Sequence, residues 1–180
     1  MRDAQLDGAD ALKELLEGGL LTTDRSVGKT VSATRTVLPT ESLLDADEPP
    51  HVRLNLLHVC RFVAACSVAG ARLRWQRIED TIKAVEQRKR SYAAADFDLK
   101  RACELTAAFQ QLRSLFPRNY ICLFDSLALL EFLARYRVFP TWVFGIKLEP
   151  WAAHCWVQAE GCAFNEDAER AAGYTPIMTL

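Results

Sequence analysis

A change of hydrophobic period at Pro117 constrains this chain more than any other feature of it. Over residues 52–116 the apolar positions recur at helical spacing. Trp75, Ile78, Ile82 and Val85 fall at i, i+3, i+7 and i+10, and Leu105, Phe109, Leu112 and Phe116 at i, i+4, i+7 and i+11. A break over residues 90–98 separates these two helices, with Asp96 placed to cap the second. Beyond Pro117, CLFDSLALLEFLARY (residues 122–136) is too apolar for a surface helix and is expected at the centre of the fold. TWVFGIKL (141–148) then alternates, with Trp142, Phe144, Ile146 and Leu148 on one face of a strand. Residues 153–159 and 162–165 read as two further strands, and the tail GYTPIMTL as an edge strand interrupted by Pro176. Helices first and strands afterwards predict an α+β fold, a small antiparallel sheet packed on one central helix.

The N-terminal part is different in kind. Residues 9–17 put Leu12, Leu15 and Leu16 on one helical face, and Gly18-Gly19 follow as a C-cap. Residues 22–50 are rich in Ser, Thr and turn formers and read as a linker or extended arm. Gly28-Lys29-Thr30 resembles the end of a phosphate-binding loop, but Thr23 stands where that loop needs its first glycine and no apolar strand precedes it. The expected organisation is thus 1–24, a linker over 25–50, and one domain over 51–180.

A net charge of -1 argues against nucleic-acid binding. The N-terminus lacks the apolar run of a signal peptide, and Asn55, His58, Arg61 and Arg72 interrupt the most apolar window, so neither secretion nor a membrane span is expected. Six cysteines without a CxxC pair, and three histidines, suggest reduced thiols in the cytoplasm and no metal site.

Cys122 stands where a loop gives way to the central helix, and the partial positive charge of a helix N-terminus favours a thiolate, the nucleophilic form. His154 shares a strand face with Trp156 and Gln158, a polar face suited to a cleft wall, while Cys155, Val157 and Ala159 face the other way. An imidazole there would exchange protons with Cys122. Two acids follow the hairpin. A two-residue turn at Glu160-Gly161 would set Asp167 opposite His154 but needs positive φ at Glu160. A three-residue turn needs it only at Gly161 and sets Glu166 there. Glu166 is favoured, with Asp167 the alternative.

Cys-Leu-x-x-Ser-Leu-Ala-Leu-Leu from Cys122, then Gly145-Ile146, Ala-His-x-Trp-Val from Ala153 and Gly-x-x-x-Asn-acid from Gly161 resemble the leader peptidases of lasso-peptide biosynthesis. These maturation B proteins have a transglutaminase-like, papain-related fold. The resemblance covers residues 52–180 and implies a Cys-His-acid triad of Cys122, His154 and Glu166, although the family usually has Asp at the acid position. It implies removal of the leader from a ribosomal precursor peptide before a partner cyclase, similar to asparagine synthetase, closes a macrolactam. ATP would be used by that partner, and no cofactor would be bound here. Residues 1–24 look similar to only the last helix and wing of a winged-helix leader-recognition domain, so the expectation is either that the sequence starts late or that a separate leader-recognition protein is a further partner. Acyl transfer of transglutaminase type, or a silent scaffold presenting the precursor to the cyclase, are the alternatives.

Overall fold

The computed structural model describes residues 36–44, 52–92, 97–117 and 119–180, together with Glu17, Thr23 and Asp24. The chain divides into two units, Met1–Ala33 and Thr34–Leu180. The expected helix over 9–16, the Gly18-Gly19 cap, Gly28-Lys29-Thr30 and Asp96 lie outside the described residues, although Glu17 is helical.

In the second unit the described elements are β1 (Glu41–Ser42), α1 (Leu56–Trp75), α2 (Ile78–Ser91), α3 (Leu99–Ser114), α4 (Cys122–Ala134), β2 (Thr141–Leu148), β3 (Trp151–Ala159), β4 (Cys162–Ala163), α5 (Ala168–Ala172) and β5 (Thr175–Thr179). The fold is α+β. The strands form one sheet in the order β1-β4-β3-β2-β5, antiparallel except for the short parallel pair of β1 with β4.

Helix starts follow local chemistry. Asn55 and His58 form a reciprocal capping box at α1, where Asn55 Oδ1 accepts from His58 N–H at 2.9 Å. Asp98, rather than the expected Asp96, caps α3 by accepting from Arg101 N–H at 3.0 Å, because it stands three residues before the donor. Among the described residues α1 is long and apolar enough to cross a bilayer. Yet it buries Phe62, Ala65, Cys66 and Ala69 in the core, and its Arg72 reaches Glu131 at 3.6 Å.

Every residue of α4 from Phe124 to Leu133 is buried, as its composition demands. One of them is Glu131, 2% exposed, which receives Arg88 of α2 in a bidentate pair at 2.8 and 2.9 Å and has Arg135 at 3.4 Å. Burial pushes this carboxyl upward, but the Arg88 bond and the three arginine charges outweigh it and hold the group ionised. The carboxylate thereby ties α1, α2 and α4 at one point.

Three features of the sheet differ from expectation. Residues 41–42 lie within the presumed linker but join the sheet: Thr40 and Glu41 N–H donate to Gly161 O at 2.9 and 3.2 Å, and Leu43 N–H to Ala163 O at 3.0 Å. The β3–β4 turn has two residues, with Ala159 paired to Cys162 and positive φ at both Glu160 (49°) and Gly161 (81°). A left-handed Glu costs roughly 1–2 kcal/mol; it is offset because this turn aims the Gly161 carbonyl at β1. Finally, β4 stops at Ala163 instead of Asn165.

Glu131→Gln keeps the volume and removes the charge shared by the arginines. The expected loss is about 2–3 kcal/mol in urea unfolding, below that of a fully buried pair because the arginines keep some solvent contact. An unchanged midpoint would show that the cluster holds nothing together.

Candidate active site

The site is built where β4 falls short. Backbone groups alternate in direction along a strand. Val157 turns its N–H and C=O away from β2: the carbonyl accepts Phe164 N–H at 2.9 Å and the N–H donates to Asn165 Oδ1 at 2.8 Å. Cys155, two residues back, has the same orientation but no strand beside it. Its carbonyl instead accepts Ser126 Oγ at 3.2 Å, and its N–H points to the sulfur of Cys122, both on the first turns of α4. The helix thus takes over the ladder that β4 leaves, and the thiol occupies an acceptor position on the sheet edge.

The same sulfur interacts with His154. His154 is 8% exposed and packs in a cluster of three rings with Trp156 (centroids 6.2 Å apart) and Tyr174 (5.1 Å), which also touch each other (6.5 Å). Its Nε2 bonds Glu166 Oε2, which leaves Nδ1 as the nitrogen for sulfur. The other Glu166 oxygen accepts Asp167 N–H at 3.0 Å, with Arg170 Nη1 at 3.7 Å, and Ser42 Oγ donates to the Glu166 carbonyl at 2.7 Å.

His154 and Glu166 are therefore in direct contact, and the Cys122 sulfur interacts with the same imidazole. Asp167, the other sequence candidate, stands at the N-cap of α5. Glu166 meets the imidazole for a reason the turn argument did not contain. The two-residue turn, extended as a regular ladder, would bring Asp167 opposite His154. After Phe164, however, the Asn165 side chain replaces the backbone as Val157's partner, and the chain leaves the strand one residue early. The expected cleft wall also differs: Trp156 is fully buried and Gln158 nearly so, because Trp156 Nε1 donates to Gln158 Oε1 (2.7 Å) and Gln158 Nε2 to Val37 O (2.7 Å). That face is a second small core with Val143, Ala171 and Tyr174.

The electrostatics follow from these contacts. Hydrogen bonds from Cys155 and His154 overcome partial burial and bring the Cys122 thiol down to about 4. Burial alone would lower His154, but the bonds to Cys122 and Glu166 raise it to about 9. Burial pushes Glu166 up and the His154 bond, with lesser help from Asp167 N–H and Arg170, brings it below the usual carboxylate range. Between about pH 4 and 9 the pair is thiolate and imidazolium. Cys155, donating to that thiolate in a buried position, is pushed far up and stays a thiol. Among the described residues no group of three or more His, Cys, Asp or Glu side chains is arranged to hold a metal ion.

Residues 50–179 match the family described as transglutaminase-like superfamily. The chain belongs to the transglutaminase-like superfamily. This superfamily generally contains cysteine-protease-like enzymes, with which a helix-borne thiol facing a strand-borne imidazole is consistent. No curated protein and no solved structure matches the chain significantly.

The sequence set Cys155 on the face away from His154, and it carried Ser126 and Asn165 as fixed motif positions without giving either a role. Asn165 Nδ2 donates to Ser126 Oγ at 3.0 Å, so these two residues join the helix to the departing strand. The signal available for both was their place beside the chemistry, Ser126 one helical turn after Cys122 and Asn165 next to Glu166.

Gly145 pairs with His154 across β2 and β3, and a Cβ there would lie 2.9 Å from Tyr174 Cβ and 3.1 Å from Trp156 Cζ3. Gly145→Ala must therefore displace the two rings that flank the imidazole. The expected outcome is a loss of about 1–3 kcal/mol in denaturant unfolding. The NMR titration midpoint of His154 should also fall below about 9; both quantities unchanged would contradict the packing described.

Proposed function

We propose that this chain is a cysteine endopeptidase that removes the leader from a ribosomally made lasso-peptide precursor. The observation that carries the peptidase reading is the contact of one thiol with both a carboxylate-bound imidazole and the open edge of a strand. β3 continues past Cys155 through exposed Ala153 to exposed Trp151, whose outward N–H and C=O groups find no strand among the described residues. An extended peptide pairing with that edge runs its next carbonyl onto the Cys122 sulfur.

In this reading the Cys122 thiolate attacks the scissile carbonyl carbon, forming a C–S bond while the carbonyl electrons move to oxygen. The backbone N–H of Cys122, at the first turn of α4, is available to that oxyanion. Collapse breaks the C–N bond, the His154 imidazolium gives its proton to the departing amine, and a thioester remains. Neutral His154 then takes a proton from water, whose hydroxide adds to the thioester and releases the carboxylic acid and Cys122. Glu166 keeps Nδ1 aimed at sulfur throughout. The lasso-peptide substrate, the cyclase that would receive the trimmed peptide and a separate leader-recognition protein follow from the sequence resemblance. So does the absence of a bound cofactor.

Superfamily membership also favours a second reading, in which an amine takes the place of water at the thioester. Mass spectrometry after incubation with precursor and excess free amine separates them, because hydrolysis adds water to the acyl fragment and aminolysis adds the amine.

Cys122→Ala is expected to abolish cleavage in a folded protein. Glu166→Gln should lower kcat on the order of 10²-fold or more, whereas Asp167→Asn should stay within about threefold. Normal turnover by the Cys122→Ala protein would end the proposal.

The pH dependence has a definite sign. Below about 4 sulfur is protonated and no nucleophile remains, and above about 9 the imidazole has no proton for the leaving amine. The kcat/KM profile should be a bell between those limits; a rise through pH 9 would contradict it.

A further inference from the structure

Two buried charges among the described residues have no place in the chemistry above: Asp125 on α4 is 1% exposed and Arg113 on α3 is 7% exposed. Stability alone is a weak reason for such a pair, since apolar side chains of similar volume often serve as well or better. What the carboxylate touches is more informative. Asp125 Oδ1 takes Arg113 Nε, and Oδ2 accepts the backbone N–H of Ile121 at 2.7 Å. Ile121 is the N-cap residue of α4 and lies next to the nucleophile; having no polar side chain, it makes no cap of its own. Its carbonyl accepts Asp125 N–H at 2.9 Å, so both backbone groups of Ile121 end on Asp125.

The loop before it is held from two sides. Arg113 Nη1 donates to Phe116 O at 3.4 Å and Nη2 to Asn119 O at 3.2 Å. Tyr120 Oη donates to Asn165 O at 2.8 Å, one residue before Glu166. The guanidinium also neutralises a carboxylate that would otherwise sit uncompensated one helical turn from the Cys122 thiolate.

We propose that Asp125 is a positioning residue for Cys122. By fixing the Ile121 N–H it sets the direction in which α4 begins, and so holds the sulfur against the Cys155 N–H and the His154 imidazole. Arg113 makes a buried carboxylate tolerable there. This inference rests on Cys122 as the nucleophile, but its test needs no substrate, so it fails or succeeds separately from the peptidase reading.

The test compares two uncharged double variants of the full chain, R113M/D125N and R113M/D125L. The amide oxygen of the first still accepts from Ile121 N–H; the second has no acceptor, and neither leaves a buried charge. Iodoacetamide alkylation of Cys122 is followed at about pH 6, mapped by peptide mass spectrometry, with exposed Cys60 as internal reference. The asparagine pair should react within about threefold of the parent and the leucine pair at least about tenfold slower, while Cys60 is unchanged in both. Equal rates in the two pairs, both fast or both slow, overturn the proposal. Should the leucine pair not fold, the single variants D125N and D125A give the same contrast. A helix cap of purely structural importance would lower the unfolding midpoint without changing the Cys122 rate of the folded protein, and that result also overturns it.

Discussion

β3 runs for nine residues and β4 for two, and the backbone of Cys155 must therefore find its partners somewhere other than a strand. It finds them on α4, the carbonyl on Ser126 and the N–H on the Cys122 sulfur. An amide that donates to sulfur favours the thiolate, and an imidazole held by a buried carboxylate on the same sulfur favours it further. The site is thus a consequence of a sheet that ends early beside a helix that begins there. The same early end leaves the outer edge of β3 without a strand at Ala153 and Trp151 among the described residues, so the setting of the thiol and the edge proposed for the peptide have one structural cause.

The supporting layers serve that junction. Glu131 fixes α4 to α1 and α2 through its arginines, while Asp125 and Arg113 fix the first turn. On the far side of the sheet Trp156 and Tyr174 close on the space that Gly145 leaves, and the imidazole packs beside both. Ser42, in the short strand β1, reaches the carbonyl of Glu166. Asp125, Ser126, Asn165 and Glu166 each end on a backbone or side-chain group beside them, and such a network stiffens a loop-to-helix junction.

Much of this was legible in the chain. The switch from a period of 3.6 to one of 2 after Pro117 placed the helices and the β2–β3 hairpin, and an apolar α4 could only be central. Cys122 and His154 stood out by local chemistry, one at a helix start and the other on an alternating strand. Less legible was whatever depended on contacts between distant segments. Positive φ at Glu160 looks unfavourable from the hairpin alone; only when β1 draws on the Gly161 carbonyl does the tight turn become reasonable. Glu166 was favoured over Asp167 on that turn, whereas the structure reaches the same residue through Asn165, whose side chain substitutes for backbone. Asp96 against Asp98 was a shift of two residues at a helix end, where local preferences discriminate least.

The central claim is that sulfur 122 is a thiolate paired with imidazolium 154 at neutral pH. Its most direct test is the ultraviolet thiolate absorbance of the full chain minus that of Cys122→Ser, titrated from acid to alkaline pH. One thiolate should appear with a midpoint near 4 and persist through neutrality, and it should shift strongly upward in His154→Ala. A difference band that appears only near 9, as for an ordinary thiol, would contradict the account.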